Sequence, residues 1–179
     1  MIYTVECSYT DPSSEAEWNR FYSEDKLPAL ISVRGFLTSQ RFKAVGHNGP
    51  AYLAIHTIKE AEVLSSEEYR LKGGGNFARW QTHISDWHRN LYCGVDRAPA
   101  VGQSECLVLS HCGPDSLLLM GLIPNEMQAV GLEKHPEHLW FARLSLQGRH
   151  PAEHLAGDIW CYAPITAQLI SDPSQSAGQ

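Results

Sequence analysis

Two side chains in this sequence invite an acid–base reading: Glu6, in the run Ile2 to Tyr9, and His56, in the run Ala51 to Ile58. A carboxylate beside an imidazole orients the ring and raises its pKa, which suits proton transfer near neutral pH. Arg41 adds a guanidinium able to fork onto a carboxylate ligand, and Tyr52 adds a phenol. Tyr22, with Trp18 and Trp80, is a candidate pocket wall, and Lys26, just before Leu27-Pro28, is a further candidate substrate-binding residue. Together these residues suggest a small molecule handled by His56 as base and Glu6 as its orienter. Arg41 or Tyr52 would hold a polar group of that molecule. The plainer alternative is a partly solvated sheet face with no catalytic role.

The elements that must position them follow from hydrophobic patterning. Alternation puts Thr4, Glu6 and Ser8 on one face of a first strand, opposite Val5 and Cys7. It puts Tyr52, Ala54 and His56 on one face of a third strand, opposite Leu53 and Ile55. With the more apolar faces on the helices, the polar faces look inward and Glu6 lies beside His56. Ser14 and Glu17 have capping-box spacing, and Trp18, Phe21, Tyr22, Leu27, Leu30 and Ile31 form an apolar helical stripe that Pro28 kinks or restarts. Gly35 ends the crossover. Phe36 to Val45 reads as a second strand, paired as a hairpin with the third through the turn His47-Asn48-Gly49-Pro50. Glu60 to Lys72 and Phe77 to His88 read as helical, and Leu91 to Val95 as a fourth strand.

The resulting βαββαβ order predicts a ferredoxin-like unit over residues 1–95. Residues 96–103, with Pro99 and Gly102, read as a linker. Residues 104–170 repeat the order with shrunken helices, and 171–179 read as a frayed tail. The fold class predicted is therefore α+β, with tandem ferredoxin-like units closing an intrachain α/β barrel.

Composition narrows the function classes. Net charge is −6 over 179 residues, which argues against nucleic acid and against an anionic membrane surface. No run approaches the length of a membrane span, and Met1 to Glu6 lacks a signal-peptide pattern. A cytoplasmic location is the default expectation. The 5 cysteines include no C-x-x-C pair, as expected of buried thiols. His150-Pro151-Ala152-Glu153-His154 matches an H-x-x-E-H zinc pattern, but Pro151 and Gly157 leave barely one helical turn for it. Gly73-Gly74-Gly75 lacks the Lys-Ser/Thr ending of a phosphate loop. No metal or cofactor is expected.

The stretch Trp18, Tyr22, Leu27-Pro28, Gly35-Phe36 and Arg41 resembles the dimeric α/β-barrel superfamily, in particular its EthD-like and stress-responsive branches. The resemblance covers about residues 1–95. It implies two facing ferredoxin-like sheets, usually from two subunits, so a homodimer is one expected assembly. Activities in that superfamily include cofactor-free oxygenation, lactone isomerisation and polyketide cyclisation. Where several enzymatic members carry a His before Leu-Pro, this chain has Lys26, and an ordinary lysine is protonated at pH 7. The expected function is binding, and cofactor-free transformation, of a small apolar or aromatic molecule between sheets. A non-catalytic binding or interaction protein is the alternative.

Overall fold

The computed structural model describes residues 1–46, 49–73, 77–147 and 157–172. Its strands are β1 (Ile2–Tyr9), β2 (Phe36–Ala44), β3 (Tyr52–Ile58), β4 (Ile84–Cys93), β5 (Glu105–Ser110), β6 (Asn125–Leu132), β7 (His138–Ser145), β8 (Ile159–Pro164) and the two-residue β9 (Leu169–Ile170). They run in the order β3-β1-β4-β6-β7-β5-β8-β2, and β2 pairs back with β3. That pairing closes an eight-stranded antiparallel barrel, with β9 set beside β2. Closure removes the open edges that a sheet would otherwise expose.

Short helices lie on the outside: α1 (Glu15–Phe21), α2 (Leu27–Ile31), α3 (Glu67–Lys72) and α4 (Asp115–Leu119). The helix start at Ser14 differs from the expected capping box. The Ser14 hydroxyl donates to Asp11 at 2.5 Å and so does not cap α1. Local hydrogen bonding around Asp11, which also accepts from Ser13, competes successfully with the helix. The expected helix over Phe77 to His88 is replaced by a 3₁₀ stretch, Ala78–His83, and by the start of β4. Pairing of Ile84 with Tyr9 and of His88 with Glu6 overrides local helical preference there.

Two apolar layers follow from strand alternation. Tyr3, Val5, Cys7, Tyr52 and Ala54 face outward, under Trp18, Tyr22, Leu27 and Leu30 of the helices. Ile2, Phe42, Leu53, Ile55, Tyr92, Leu107, Leu109 and Tyr162 fill the barrel lumen. The helices therefore cover the face of β3 that carries Tyr52, Ala54 and His56, and Leu53 and Ile55 go inside.

Gly35 fixes the entry into β2. Its φ is +95°, and a Cβ there would meet Val63 Cγ2 at 2.4 Å. Gly35→Ala is expected to destabilise the fold by about 3 kcal/mol, from backbone strain plus overpacking. Urea unfolding with an unchanged m-value checks this.

Candidate functional site

The crossover helix is continuous but changes winding. Pro28 has no N–H to give to the carbonyl of Glu24, and the chain loosens into a π turn over Tyr22–Lys26 between α1 and α2. This turn keeps Trp18, Tyr22 and Lys26 all buried against the sheet. It also leaves Asn19 and Ser23 beside them on a polar stripe.

Arg41 rises from β2 into this stripe and is 1% exposed. Its Nη1 donates to the Asn19 carbonyl at 3.1 Å and to Ser23 Oγ at 2.8 Å, and its Nη2 donates to Asn19 Oδ1 at 2.9 Å. The guanidinium carbon lies 4.0 Å from the Tyr22 ring centre and 5.2 Å from that of Trp18. Among the described residues no carboxylate pairs with it, and burial pulls its pKa down to about 10. The fork expected to grip a ligand thus grips the helix. It supplies positive charge from behind the residues that line the surface.

That surface is a cleft of about 370 Å³ lined by Asn19, Arg20, Ser23, Glu24, Lys43, Tyr52 and Ile165. The Tyr52 hydroxyl accepts from Asn19 Nδ2 at 2.6 Å and donates to the Glu15 carboxylate. Lys43 reaches the same Glu15 oxygen at 3.1 Å. Hydrogen bonding from Tyr52, then the Lys43 ammonium, holds Glu15 below the usual carboxylate range. Asn19, Ser23 and Lys43 were not among the residues singled out from the sequence. Asn19 and Ser23 do stand four apart, one position after Trp18 and Tyr22, and that spacing is the signal that marks them.

Deeper under the helices lies an aromatic layer of the core. His56 is 0% exposed, and its Nδ1 is 2.8 Å from Ser39 Oγ. Its ring stacks on Tyr3 at 5.4 Å and meets the edge of Phe36 at the same distance. Its Nε2 has no hydrogen-bond partner among the described residues. Burial, with Lys26 nearby, drives its pKa down to about 3, so the ring is neutral. Lys26 Nζ donates to the Gly73 carbonyl at 2.6 Å and sits 4.6 Å from the Phe77 ring centre. Tyr3 and Tyr69 share a 3.0 Å hydroxyl contact in the same layer.

The expected Glu6–His56 pair does not form. The β1–β3 register sets Tyr3 opposite His56 and Glu6 opposite Leu53. Glu6 therefore faces the lumen and His56 the helices. The error lies in which face of β3 the helices cover: they take Tyr52, Ala54 and His56 rather than Leu53 and Ile55. The histidine across from Glu6 is His88, whose Nδ1 is 2.8 Å from Glu133. Tyr22, Lys26, Arg41, Tyr52 and His56 do share one side of the sheet, and Glu6 is the residue excluded.

Burial lifts Glu6 to about 7, against a smaller lowering by His88. The folded state then holds a proton that the unfolded chain releases near pH 4.5. Stability should fall by up to about 3 kcal/mol as pH rises from 4.5 to 7, then level off. Glu6→Gln should flatten that part of a stability–pH curve measured by urea unfolding.

Among the described residues no three His, Cys, Asp or Glu side chains converge as metal ligands. The H-x-x-E-H run and residues 74–76 lie outside the described residues. No described helix is long and apolar enough to cross a membrane.

No protein-family model and no curated protein matches the sequence. Solved structures do. An anthrone oxidase-like protein superposes with a TM-score of 0.57 at 8% identity, over 99% of this chain and 96% of its own. A proposed monooxygenase of Lactobacillus acidophilus gives 0.53 at 9% identity, over 96% and 99%. A proposed monooxygenase of Fusobacterium nucleatum gives 0.58 at 9% identity, over 93% of each chain. At these identities the likeness concerns the fold alone: this chain has the α+β barrel architecture of those proteins along nearly its whole length.

Proposed function

We propose that the chain binds a small planar molecule with an acidic hydroxyl or carboxyl group in the cleft over Asn19, Ser23 and Tyr52, and oxygenates it without a cofactor. The observation that carries this is Arg41, a buried cation bonded to neutral partners directly behind that cleft. A fixed buried positive charge favours the ionised form of a bound phenol or enol, and an electron-rich anion of that kind can react with dioxygen. The remaining Nδ2 hydrogen of Asn19 and the Lys43 ammonium supply hydrogen bonds, and Tyr22 shields the guanidinium from water. The proposed proton acceptor, His56, is positioned by Ser39 in the buried layer beneath the helices and does not line the cleft, so it acts only on a ligand that reaches that layer. Neighbours described as monooxygenases and as anthrone oxidase-like support the reading by analogy of fold.

The strand orders β2-β3-β1-β4 and β6-β7-β5-β8 also support reading the halves as tandem ferredoxin-like units, of which the first keeps the EthD-like residues. A binding protein without turnover is the second reading. It is favoured by the low pKa of His56 and by the absence, among the described residues, of a carboxylate bonded to it. The test is calorimetric titration with hydroxylated tricyclic aromatics, together with oxygen uptake. Arg41→Gln should weaken binding at least tenfold with the circular dichroism spectrum retained. Binding unchanged in that variant refutes the site, and binding without oxygen uptake selects the second reading.

A further inference from the structure

We propose that Glu15 is a built-in stand-in for the ligand, seated where the carboxylate of a bound aromatic acid exchanges for it. This deepens the reading of the cleft over Asn19, Ser23 and Tyr52 and rests on it. Hydrogen bonds in series carry the inference. The Arg41 guanidinium donates through Nη2 to Asn19 Oδ1 at 2.9 Å. Asn19 Nδ2 donates to the Tyr52 hydroxyl at 2.6 Å, and that hydroxyl donates to Glu15 Oε1. Every donor in the series points the same way, from a buried cation outward. The last hydroxyl is polarised by the charge behind it. Lys43 Nζ converges on the same Glu15 oxygen at 3.1 Å. Two donors meeting at one point, with a guanidinium at the far end of the series, make an anion seat. Asn19, Tyr52 and Lys43 all line the cleft, and Glu15 fills the seat from the first position of α1. Arg20 and Glu24 line the same cleft and offset each other in charge.

Glu15 is placed to leave. Its side chain is 30% exposed and that of Lys43 is 50% exposed, and ion pairs as open as this contribute little. A ligand carboxylate reproduces the bonds that Glu15 gives up, so the exchange is near even in hydrogen bonds. Burial of an aromatic ring in the cleft of about 370 Å³ then tips it. Both carboxylates cannot share the seat, because Tyr52 has one proton to give and two anions beside one ammonium repel. A molecule without a carboxylate leaves Glu15 in place and gains nothing from the seat. The seat thus separates aromatic acids from their uncharged esters.

The test is calorimetric titration of the full chain at pH 7 with 1-hydroxy-2-naphthoate and with its methyl ester, which keeps the rings and the hydroxyl but not the charge. Glu15→Ala should bind the acid about tenfold or more tightly than the unaltered protein does, and the ester with little change. Glu15→Gln, nearer in shape, should shift the acid in the same direction. Lys43→Gln should weaken the acid and spare the ester. Acid affinity unchanged in both Glu15 variants, or acid and ester tightened alike, overturns the exchange. If both compounds bind, weaken in Arg41→Gln and ignore the Glu15 variants, the cleft stands and Glu15 only ties α1 to the sheet. If neither compound binds any of these proteins, the cleft fails and the exchange with it.

Discussion

Acidification from pH 6.5 to 3 should strip on the order of 4–5 kcal/mol from the stability of this protein through His56 alone. The imidazole is fully buried and its pKa is depressed to about 3, whereas in the unfolded chain it protonates near 6.5. Between those values the unfolded state binds the extra proton, so stability is complete above 6.5 and declines as pH falls through the window. Such a loss is a large share of the 5–15 kcal/mol (roughly) by which domains are stable. His56→Leu should be destabilised at pH 7, because Ser39 Oγ loses its partner. Its stability should then fall far less on acidification. Parallel urea titrations of both proteins at pH 7, 5 and 4 check this; parallel slopes would refute it.

Trp18→Ala is expected to cost about 4 kcal/mol. The ring is 0% exposed. It stacks on Tyr9 at 4.7 Å and meets the edge of Tyr52 at the same distance. It also lies 5.9 Å from Tyr22 and 5.2 Å from the Arg41 guanidinium. Removing it opens a cavity where the helix, the sheet and the buried cation meet. Trp18→Phe should be far milder, because Nε1 has no hydrogen-bond partner among the described residues to lose. A cost of about 1–2 kcal/mol is expected for that change. Thermal or urea unfolding of both variants separates ring volume from polarity. Equal losses would mean that the indole nitrogen contributes after all.

The parts of the fold that were legible in the sequence are those with strong local patterns. β1, β2 and β3 are β-rich runs bounded by turn residues, and the Trp18–Ile31 stripe follows helical spacing. The start of β4 was illegible because Ile84 to Asn90 carries mixed polarity and becomes a strand only by pairing with β1. The site was half legible. Type and spacing sufficed to place Tyr22, Lys26, Arg41, Tyr52 and His56 on neighbouring elements. What alternation cannot tell is which of two apolar faces a helix covers. Leu53 and Ile55 are as apolar as any outward face, so Glu6 was paired with the wrong histidine. The state of Lys26 was illegible for a different reason: its pKa depends on burial beneath Phe77 and Gly73, which are distant in sequence.

The closing pair β2–β3 and the seams β4–β6 and β8–β2 all join strands of one chain. Dilution therefore cannot open this barrel, since its two sides never leave each other's reach. Barrel stability should be independent of protein concentration, unlike that of barrels shared between subunits. One side is also free to change without the other. In a symmetric pair every substitution appears twice and every site is duplicated. Here, among the described residues, the aromatic layer with its buried cations lies on one flank, while another outer face is packed with Cys106, Val108, Leu117, Ala142, Ile159 and Cys161. The two outer flanks of one chain thus differ in kind, one built of aromatic rings and buried cations and the other of small aliphatic side chains and thiols.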